Sequence, residues 1–507
     1  MPNYGFAIDL RKCIGCHACT IACKAEHDIP IGVNRCWVKT VEKGTFPDTR
    51  RFFFPVLCNQ CDAAPCVSIC PTNALYKRRD GIVDLNGAAC IGCRACMEAC
   101  PYDQLFIDPN TRTAEKCNFC ANRVENNLLP SCVIVCPTEC RIFGDLDDPD
   151  SAVSHFAHSL PVTVRKPEKG TMPKVFYMAA EESAIRPEIA ARPFIFKEGQ
   201  VLLRPLGAVE EDPADPGHPR VDYDVPHDEP WGLDMAFYVL TKGIATGALL
   251  VGALLWWLGY RATLTTLVAP TVALVFIIAT AAILVIDLEQ PQRFFYILTR
   301  PNWSSWLARG AFILTAFGGV AALWLAAGLL GRTTVITWLM PFAVVVSVLA
   351  SSYTAFLFAQ GLARDLWQGP YAAVDLLAQS IIEGAAVLLV ATPFVTTNDV
   401  VYRFLAGTLA TGIAAHLLLL GFEHLTPSPT LHHRLAVRSI LKGAYSRVYW
   451  PVAVLLGGIA PLVLLHFAPL AGGAWIPMNV TAAIAALAGA FAWEYIWVEA
   501  GQSVPNS

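Results

Sequence analysis

The carboxyl-terminal half of this 507-residue chain lacks cysteine altogether, although the chain has 18 cysteines. Charged residues are sparse at 15%, and the net charge of −4 gives no indication of a nucleic-acid partner. The first residues lack the basic start and apolar run of a secretory signal peptide, so none is predicted. Neither a Gly-x-Gly-x-x-Gly fingerprint nor a P-loop occurs, which argues against a nucleotide-binding domain.

The average composition conceals two regions of opposite character. Residues 1 to about 230 are polar and hold every cysteine, whereas the residues from about 231 onward consist mainly of long apolar runs. Proline is dense between 186 and 230, and acidic residues cluster near the end of that stretch. We therefore predict a soluble domain over 1–185, an extended linker over 186–230 and a membrane domain over 231–507.

Sixteen of the cysteines fall into four groups of four with metal-ligand spacing. The groups are Cys13, Cys16, Cys19 and Cys23; Cys58, Cys61, Cys66 and Cys70; Cys90, Cys93, Cys96 and Cys100; and Cys117, Cys120, Cys132 and Cys136. The third group follows the C-x2-C-x2-C-x3-C-P run of bacterial ferredoxins, in which the fourth cysteine ligates the other cluster of a pair. Cys36 and Cys140 remain, and we interpret both as small buried hydrophobes.

This exchange of the fourth cysteine predicts how the groups share four 4Fe–4S clusters. The predicted ligand sets are Cys13, Cys16, Cys19 with Cys136; Cys117, Cys120, Cys132 with Cys23; Cys58, Cys61, Cys66 with Cys100; and Cys90, Cys93, Cys96 with Cys70. Structural zinc also uses C-x2-C pairs, but it does not require four successive quartets. The fold class expected for residues 1–185 is therefore an α+β, ferredoxin-like domain of two tandem two-cluster units.

Three stretches of the soluble domain resemble the four-cluster electron-transfer subunits of the dimethyl sulfoxide reductase group: CIGCHACTIACKAEHDIP, YKRRDGIVDLNGAACIGCRACMEACPY and CPTECRIFGDLDDPDSAVS. The resemblance covers residues 4 to 180, and no ligand position is lost. It implies a separate catalytic partner that holds a molybdenum or tungsten bis-pterin (molybdopterin-type) cofactor. The chain itself is then an electron carrier without catalytic residues in this domain.

Eight apolar stretches follow, each with about 20 or more residues, enough to cross a hydrocarbon core of roughly 30 Å. They cover 233–258, 264–287, 304–329, 334–359, 372–394, 400–424, 447–468 and 474–498. Eight such runs in series argue against a soluble helical core. They predict an all-α bundle of eight transmembrane helices in the lipid bilayer.

Two segments resemble the NrfD and polysulfide-reductase-type membrane anchors: DLEQPQRFFYILTRPNWSSWLARGAF after the second span, and the ending WEYIWVEAGQSVPNS. This resemblance implies quinone reduction or quinol oxidation, with menaquinone or ubiquinone, in the membrane. Tyr353 resembles a tyrosine of the family's quinone pocket. Asp234, Tyr238 and Lys242 are expected at the same level, where they could hydrogen-bond a quinone carbonyl. The alternative for each aromatic residue is a place in the interfacial belt.

Several ionisable residues are predicted within or at the ends of the spans, where charge is costly. They are Lys242, Asp287, Arg309, Glu383, His416 and Glu423. Each either forms a structural or interfacial contact or contributes to a proton path beside a quinone site. Haem is the competing membrane cofactor, and His416 with His466 is the embedded pair that could ligate it.

The loop charges predict the orientation. The side of the iron–sulfur domain carries Arg293, Arg300, Arg364, Arg434, Arg438, Lys442 and Arg447, against Arg261, Arg332 and Arg403 on the other side. The positive-inside rule predicts an iron–sulfur domain on the cytoplasmic side of the inner membrane.

Together these features predict the electron-transfer and quinone-reactive anchor subunit of a molybdenum or tungsten oxidoreductase. Sulfur compounds are the expected substrate class of the partner, and a cytoplasmic orientation favours a sulfite-oxidising type over an outward-facing polysulfide or dimethyl sulfoxide reductase. Two alternatives stay open: an iron–sulfur and quinone module of a larger proton-translocating respiratory complex, and a sensor or scaffold.

Overall fold

A computed structural model of the chain describes residues 2–190, 195–197, 200–202, 218–227, 229–395, 398–468 and 475–507. The strands are β1 Tyr4–Asp9, β2 Cys36–Lys43, β3 Arg50–Leu57, β4 Leu75–Lys77, β5 Val83–Leu85, β6 Phe106–Ile107, β7 Ala114–Glu115, β8 Arg141–Asp145, β9 Val162–Thr163, β10 Val175–Met178, β11 Ile195–Lys197, β12 Gln200–Leu202 and β13 Arg220–Tyr223. The helices of the soluble part are α1 Ala18–His27, α2 Pro65–Ile69, α3 Ala95–Ala99, α4 Ala121–Val124, α5 Ser131–Ile134, α6 Ala152–Ser159 and α7 Glu182–Ile185.

The soluble part consists of small sheets with the cysteine loops between them. One sheet has the order β8-β1-β10-β9, with β1 parallel to β10 and antiparallel to β8. A second sheet has the order β13-β2-β3, and the hairpins β4–β5 and β6–β7 follow the second and third cysteine groups. The middle of β1 lacks the polar–apolar alternation of a half-exposed strand. Phe6, Ala7 and Ile8 are all buried, because both faces of the strand are covered. The predicted α+β, ferredoxin-like class is confirmed.

The predicted linker is described only in part. Residues 191–194, 198–199, 203–217 and 228 lie outside the described ranges. Its carboxyl-terminal portion supplies β13, which pairs antiparallel with β2. Trp37 donates from its indole N–H to the Asp224 carboxylate at 2.8 Å. This portion therefore extends a sheet of the soluble domain before the chain enters the membrane helices.

The membrane part is all helical. Its helices are α8 Leu233–Trp257, α9 Ala269–Ile286, α10 Tyr296–Thr299, α11 Trp306–Leu329, α12 Thr333–Ala359, α13 Ala372–Ala391, α14 Asp399–Leu425, α15 Leu431–Leu441, α16 Ser446–Val448, α17 Ala460–Phe467 and α18 Trp475–Gln502, with π-helical segments at Leu264–Val268 and Tyr449–Ile459. In the described part of the chain, eight helical stretches are long and apolar enough to cross a membrane. The prediction of eight spans is confirmed, and the chain is a multi-pass membrane protein.

Helix α8 lies at the centre of the bundle, where it contacts α9, α12, α13 and α18. Glycine allows its backbone to touch that of α13. A Cβ atom on Gly247 would lie 1.7 Å from the Ser380 carbonyl oxygen, and one on Gly384 would lie 2.0 Å from the Gly247 carbonyl carbon. Any side chain at either position would force the two helices apart, so glycine sets their separation.

The soluble domain is docked on one end of the bundle by the loop between α9 and α11. The Asn302 N–H donates to the Pro71 carbonyl at 2.9 Å, and the Ser305 hydroxyl donates to the Ile69 carbonyl at 2.6 Å. Arg293 donates to the Cys90 carbonyl at 2.9 Å. This loop is the segment that resembles the NrfD-type anchors, and its polar residues hold the cysteine loops directly.

Arg364, in the loop after α12, makes a second contact between the two parts and also bonds the chain end. Arg364 donates to the Glu98 carboxylate at 2.6 Å and to the carbonyls of Gln502 and Val504 at 3.2 and 3.3 Å. Both charged side chains are buried, and burial raises the pKa of Glu98 although the Arg364 guanidinium opposes that shift. The ion pair therefore depends on both partners being present.

We expect Arg364→Met to destabilise the docking of the two parts by about 3–5 kcal/mol, because it leaves the Glu98 carboxylate buried without a counter-charge. Limited proteolysis of the full chain in detergent, across a urea series, measures this. The double variant Glu98→Gln/Arg364→Met should recover much of the loss. Equal stability of the single variant and the unaltered chain would contradict the interpretation.

Candidate electron-transfer site

The four cysteine loops share one backbone conformation. The residue directly before the second cysteine of each group has a positive φ: Gly15 at 70°, Gln60 at 46°, Gly92 at 69° and Phe119 at 56°. This left-handed residue turns the chain so that the C-x2-C cysteines can face a common point. Glycine is the usual choice there, but only two of the four loops have it.

Two of the predicted ligand sets each line one cavity. Cys70, Cys90, Cys93 and Cys96 surround a cavity beside the membrane part, and we call these four residues the membrane-side set. Cys13, Cys16, Cys19 and Cys136 surround a second cavity, together with Cys140. In each case the fourth cysteine comes from the partner group.

The other two sets are also brought together. Cys58 and Cys61 face Cys100, and Cys23 faces Cys120 and Cys132. Among the residues described, no three His, Cys, Asp or Glu side chains converge closely enough to hold a single metal ion. The cysteines surround open spaces instead, and this arrangement fits a multi-iron cluster better than a zinc ion.

The surroundings of the sulfur atoms also fit iron–sulfur clusters. Backbone N–H groups of Gly92 and Ala114 donate to the Cys90 sulfur at 3.4 Å each, and such bonds tune cluster potentials. Burial raises the pKa of the Cys61 and Cys100 thiols to about 12. Burial thus favours the neutral thiol at both positions, whereas a bound metal would favour the thiolate.

The four sets follow one another away from the membrane. Cys66 of the second set lies near Cys96 of the membrane-side set, and Cys58 lies near Cys117. Cys132 in turn lies near Cys19. The order matches what sequential electron hopping between clusters would require.

A cavity of about 330 Å³ lies between the membrane helices directly below the membrane-side set, and it is within the usual size range of ligand sites. It is bounded by α8, α9, α10, α11 and α12, and Cys93 forms part of its wall. Ile278 and Leu298 line it and are also exposed on the outer surface of the bundle. A lipid-soluble ligand could therefore enter from the bilayer.

Tyr238 and Tyr353 line this cavity, and their hydroxyl groups are hydrogen-bonded to each other. The Tyr238 hydroxyl also bonds the Thr354 hydroxyl at 2.9 Å. Lys242 donates to the same Thr354 oxygen at 2.8 Å and lies 5.7 Å from the centre of each tyrosine ring. Three of the four predicted quinone residues are thus in one buried network. Asp234 is the exception, because its side chain is exposed one turn earlier on α8.

Comparison with protein families identifies both parts of the chain. The family model described as "Polysulphide reductase, NrfD" matches residues 223–506, more than half of the chain. The chain belongs to the NrfD polysulphide reductase family. A 4Fe–4S dicluster domain model matches residues 49–146, which hold the second, third and fourth cysteine groups. The chain is therefore a fusion of a 4Fe–4S cluster-binding domain with an NrfD membrane domain, as predicted.

Curated relatives match the iron–sulfur part. A tetrathionate reductase subunit of Salmonella typhimurium is 42% identical over 201 residues, which are 39% of this chain and 80% of that protein. A polysulfide reductase component of Wolinella succinogenes is 43% identical over 188 residues, or 36% of this chain and 97% of that protein. The arsenate respiratory reductase iron–sulfur subunit ArrB of a Shewanella species is 36% identical over 222 residues, or 34% of this chain and 95% of that protein.

The remaining ionisable residues of the NrfD domain have different surroundings. Arg309 is exposed, donates to the Trp303 carbonyl at 2.6 Å and lies over the Trp306 ring, as an interfacial residue does. Asp287 forms an ion pair with Arg94 of the cysteine loop, and burial raises its pKa. Both residues are structural contacts near the iron–sulfur end.

The two histidines of the haem alternative lie at different depths. His416 is 17 residues into α14, and the structure places its ring 2.6 Å from the Asp375 carboxylate. His466 lies one residue before the end of α17. α14 begins on the same side of the bundle on which α17 ends. The two rings are therefore separated by about 25 Å along the bundle axis, at a rise of 1.5 Å per residue. The pair is not arranged to ligate one haem.

Three functional candidates escaped the sequence reasoning. Glu494 is buried in α18 beside Glu383. In the sequence it is an acidic residue inside an apolar run, and that feature was sufficient to mark it as a candidate. Thr354 connects Lys242 to the tyrosines, but a threonine in a helix carries no distinctive signal. Asp375 is the partner of His416, and its place in the first turn of α13 resembles an ordinary interfacial acid.

Proposed function

We propose that this chain conducts electrons between a catalytic partner subunit and the membrane quinone pool through four 4Fe–4S clusters. One observation carries the proposal: Cys93, a predicted ligand in the membrane-side set, lies in the wall of a membrane cavity of ligand size. A quinone in that cavity would be adjacent to the last cluster, so an electron could pass without further cofactors.

Each of the four predicted ligand sets would hold one cluster. The left-handed turns, the exchanged fourth cysteines and the N–H donors to sulfur support this assignment. Cys36 and Cys140 are not ligands in this proposal. Cys36 accepts a hydrogen bond from the buried Arg141 at 3.1 Å, which supports a packing role.

Tyr353 and Tyr238 would bind the quinone head group through their hydroxyls, with Lys242 behind them. Negative charge grows on a quinone oxygen during reduction, and a hydroxyl backed by an ammonium group stabilises it. The isoprenoid tail would leave between α9 and α10, where Ile278 and Leu298 face the bilayer. Asp234 lies outside this network and has no role in it.

The partner would be a molybdenum or tungsten bis-pterin subunit acting on a sulfur compound. Relatives of the iron–sulfur part are named as subunits of tetrathionate, polysulfide and arsenate reductases. These names support a respiratory oxidoreductase and leave the substrate to experiment, since a fold or family does not by itself specify the substrate.

We further propose that the iron–sulfur domain faces the cytoplasm from the inner membrane. Two of the arginines on its side, Arg293 and Arg364, contact the soluble domain and would make these contacts in either orientation. The other five basic residues on that side still exceed the three on the opposite side. Protease added to inverted vesicles should remove the iron–sulfur domain if this orientation is correct.

The experiment that tests the function is purification of the complex from its native membrane in detergent. We expect a pterin-binding large subunit in mass spectrometry, molybdenum or tungsten in the sample, and about sixteen irons per chain beyond those of the partner. Far fewer irons would contradict the four-cluster assignment. A full iron count without a pterin subunit would favour the module of a larger respiratory complex.

A further inference from the structure

Two carboxyl groups lie side by side in the middle of the NrfD domain. Glu383 of α13 and Glu494 of α18 are 0% and 2% exposed, and their carboxyl groups are within hydrogen-bonding reach of each other. No N–H or O–H donor in the described part of the chain bonds to either one. Two buried carboxyl groups in this position repel each other unless they share a proton.

The backbone is built to admit this pair. A Cβ atom on Gly243 would lie 1.8 Å from a Glu383 carboxylate oxygen, so only glycine leaves room for that group against α8. Lys242, the adjacent residue, interacts electrostatically with both carboxyl groups. One ammonium group and two carboxyl groups that share one proton have no net charge, which is the arrangement that burial favours.

Hydrogen-bonding groups connect Lys242, which interacts electrostatically with this pair, to the cavity. Lys242 donates to Thr354, whose hydroxyl bonds the Tyr238 hydroxyl, and Tyr238 bonds Tyr353 at the cavity wall. Each of these groups can exchange a proton with the next. The quinone proposed for the cavity would thus be linked by hydrogen bonds to Lys242, and Lys242 interacts electrostatically with the Glu383–Glu494 pair.

A second series of groups leads from the pair to the iron–sulfur side. Asp375 interacts with Glu494 and bonds His416, and both interact with Glu423 at the end of α14, where its side chain is half-buried. Toward the other side, the described parts of the spans contain no Asp, Glu, Lys, Arg or His until the helix ends. Among the described residues, this series of titratable groups therefore leads to the iron–sulfur side.

We propose that the Glu383–Glu494 pair stores a proton for the quinone and is refilled from the iron–sulfur side. This inference rests on the proposed function. Reduction of one quinone takes two electrons from the clusters and two protons, so the relay operates twice per quinol. Tyr353 gives its proton to a quinone oxygen and regains one from Tyr238, Thr354, Lys242 and finally the carboxyl pair. Quinol oxidation reverses each transfer.

The test uses the full chain with its clusters, in lipid nanodiscs, after reduction by dithionite and removal of the excess. Quinone is added, and reoxidation of the clusters is followed by visible absorbance in water and in heavy water. We expect the double variant Glu383→Gln/Glu494→Gln to slow reoxidation about 100-fold. We also expect it to lose the infrared band of a buried protonated carboxyl group, which assigns that band to the pair.

Glu499→Gln is the matched control, because it makes the same change on α18 outside the relay, and it should keep both the rate and the band. If the double variant loses its clusters, Glu494→Gln alone is used, since its amide can still donate to Glu383. A wild-type rate in the variant, or no carboxyl band in the unaltered chain, would overturn the relay. Failure of the unaltered chain to react with quinone would overturn the proposed function itself.

Discussion

Replacing Cys93 with alanine should remove about four of roughly sixteen irons from each chain and abolish electron transfer to quinone. Cys93 is a predicted ligand of the membrane-side cluster and also part of the cavity wall. The three other ligand sets do not include it, so their clusters should still be reduced by dithionite. Iron analysis and quinone-dependent reoxidation of the same sample measure both effects.

Cys36→Ala is the matched control for this loss, because Cys36 is a buried cysteine of the same domain that belongs to no ligand set. We expect it to retain the full iron count. Loss of four irons in the control, or none in Cys93→Ala, would show that the ligand assignment is wrong.

Replacing Ala311 with tryptophan should raise the KM for quinone roughly 10- to 100-fold, since overfilling a packed site costs about 1–3 kcal/mol. Ala311 lies on α11 and its side chain lines the cavity. The change adds bulk inside the proposed quinone site and leaves every cysteine in place. Steady-state quinone reduction at varied quinone concentration measures it, with the cluster spectrum recorded on the same protein.

Ala316→Trp provides the comparison, because Ala316 is exposed on the same helix and does not line the cavity. This variant should react with quinone as the unaltered chain does. If both tryptophan variants leave the KM unchanged, the cavity is not the quinone site.

Much of this architecture could be predicted because cysteine spacing and apolar length are local signals. The run from Cys90 to Cys100 identifies a ferredoxin loop without any knowledge of the fold. The span lengths follow directly from membrane thickness. The exchange of the fourth cysteines between groups could be predicted only from the ferredoxin rule. The cavities around Cys70 and Cys136 are lined by the cysteines that this rule predicts.

The membrane site was harder to predict because it depends on which helix faces meet. Tyr238 and Tyr353 are 115 residues apart, and only the packing of α8 on α12 makes them partners. Asp234 shares a helix with Tyr238 but points away from the network. Glu494 completes the acid pair, although nothing in its own neighbourhood indicates Glu383 as its partner.

The loop arginines show how one residue type can carry two signals. Arg293 and Arg364 contribute to the charge asymmetry that predicts orientation, yet both bind carbonyl or carboxylate groups of the iron–sulfur domain. In this fusion protein, the side of the membrane domain on which the iron–sulfur domain docks thus carries basic residues that serve docking. The charge rule is therefore best applied here to residues such as Arg438 and Lys442, which lie outside these contacts.

The most direct test of the account is whether quinone oxidises the clusters of this chain. Dithionite-reduced protein in lipid nanodiscs, freed of excess reductant, is mixed with menaquinone or ubiquinone while the cluster absorbance is recorded. We expect rapid reoxidation that is slowed by Ala311→Trp and abolished by Cys93→Ala. Clusters that stay reduced with both quinones, yet are oxidised at once by ferricyanide, would contradict the claim that this chain delivers electrons to the membrane pool.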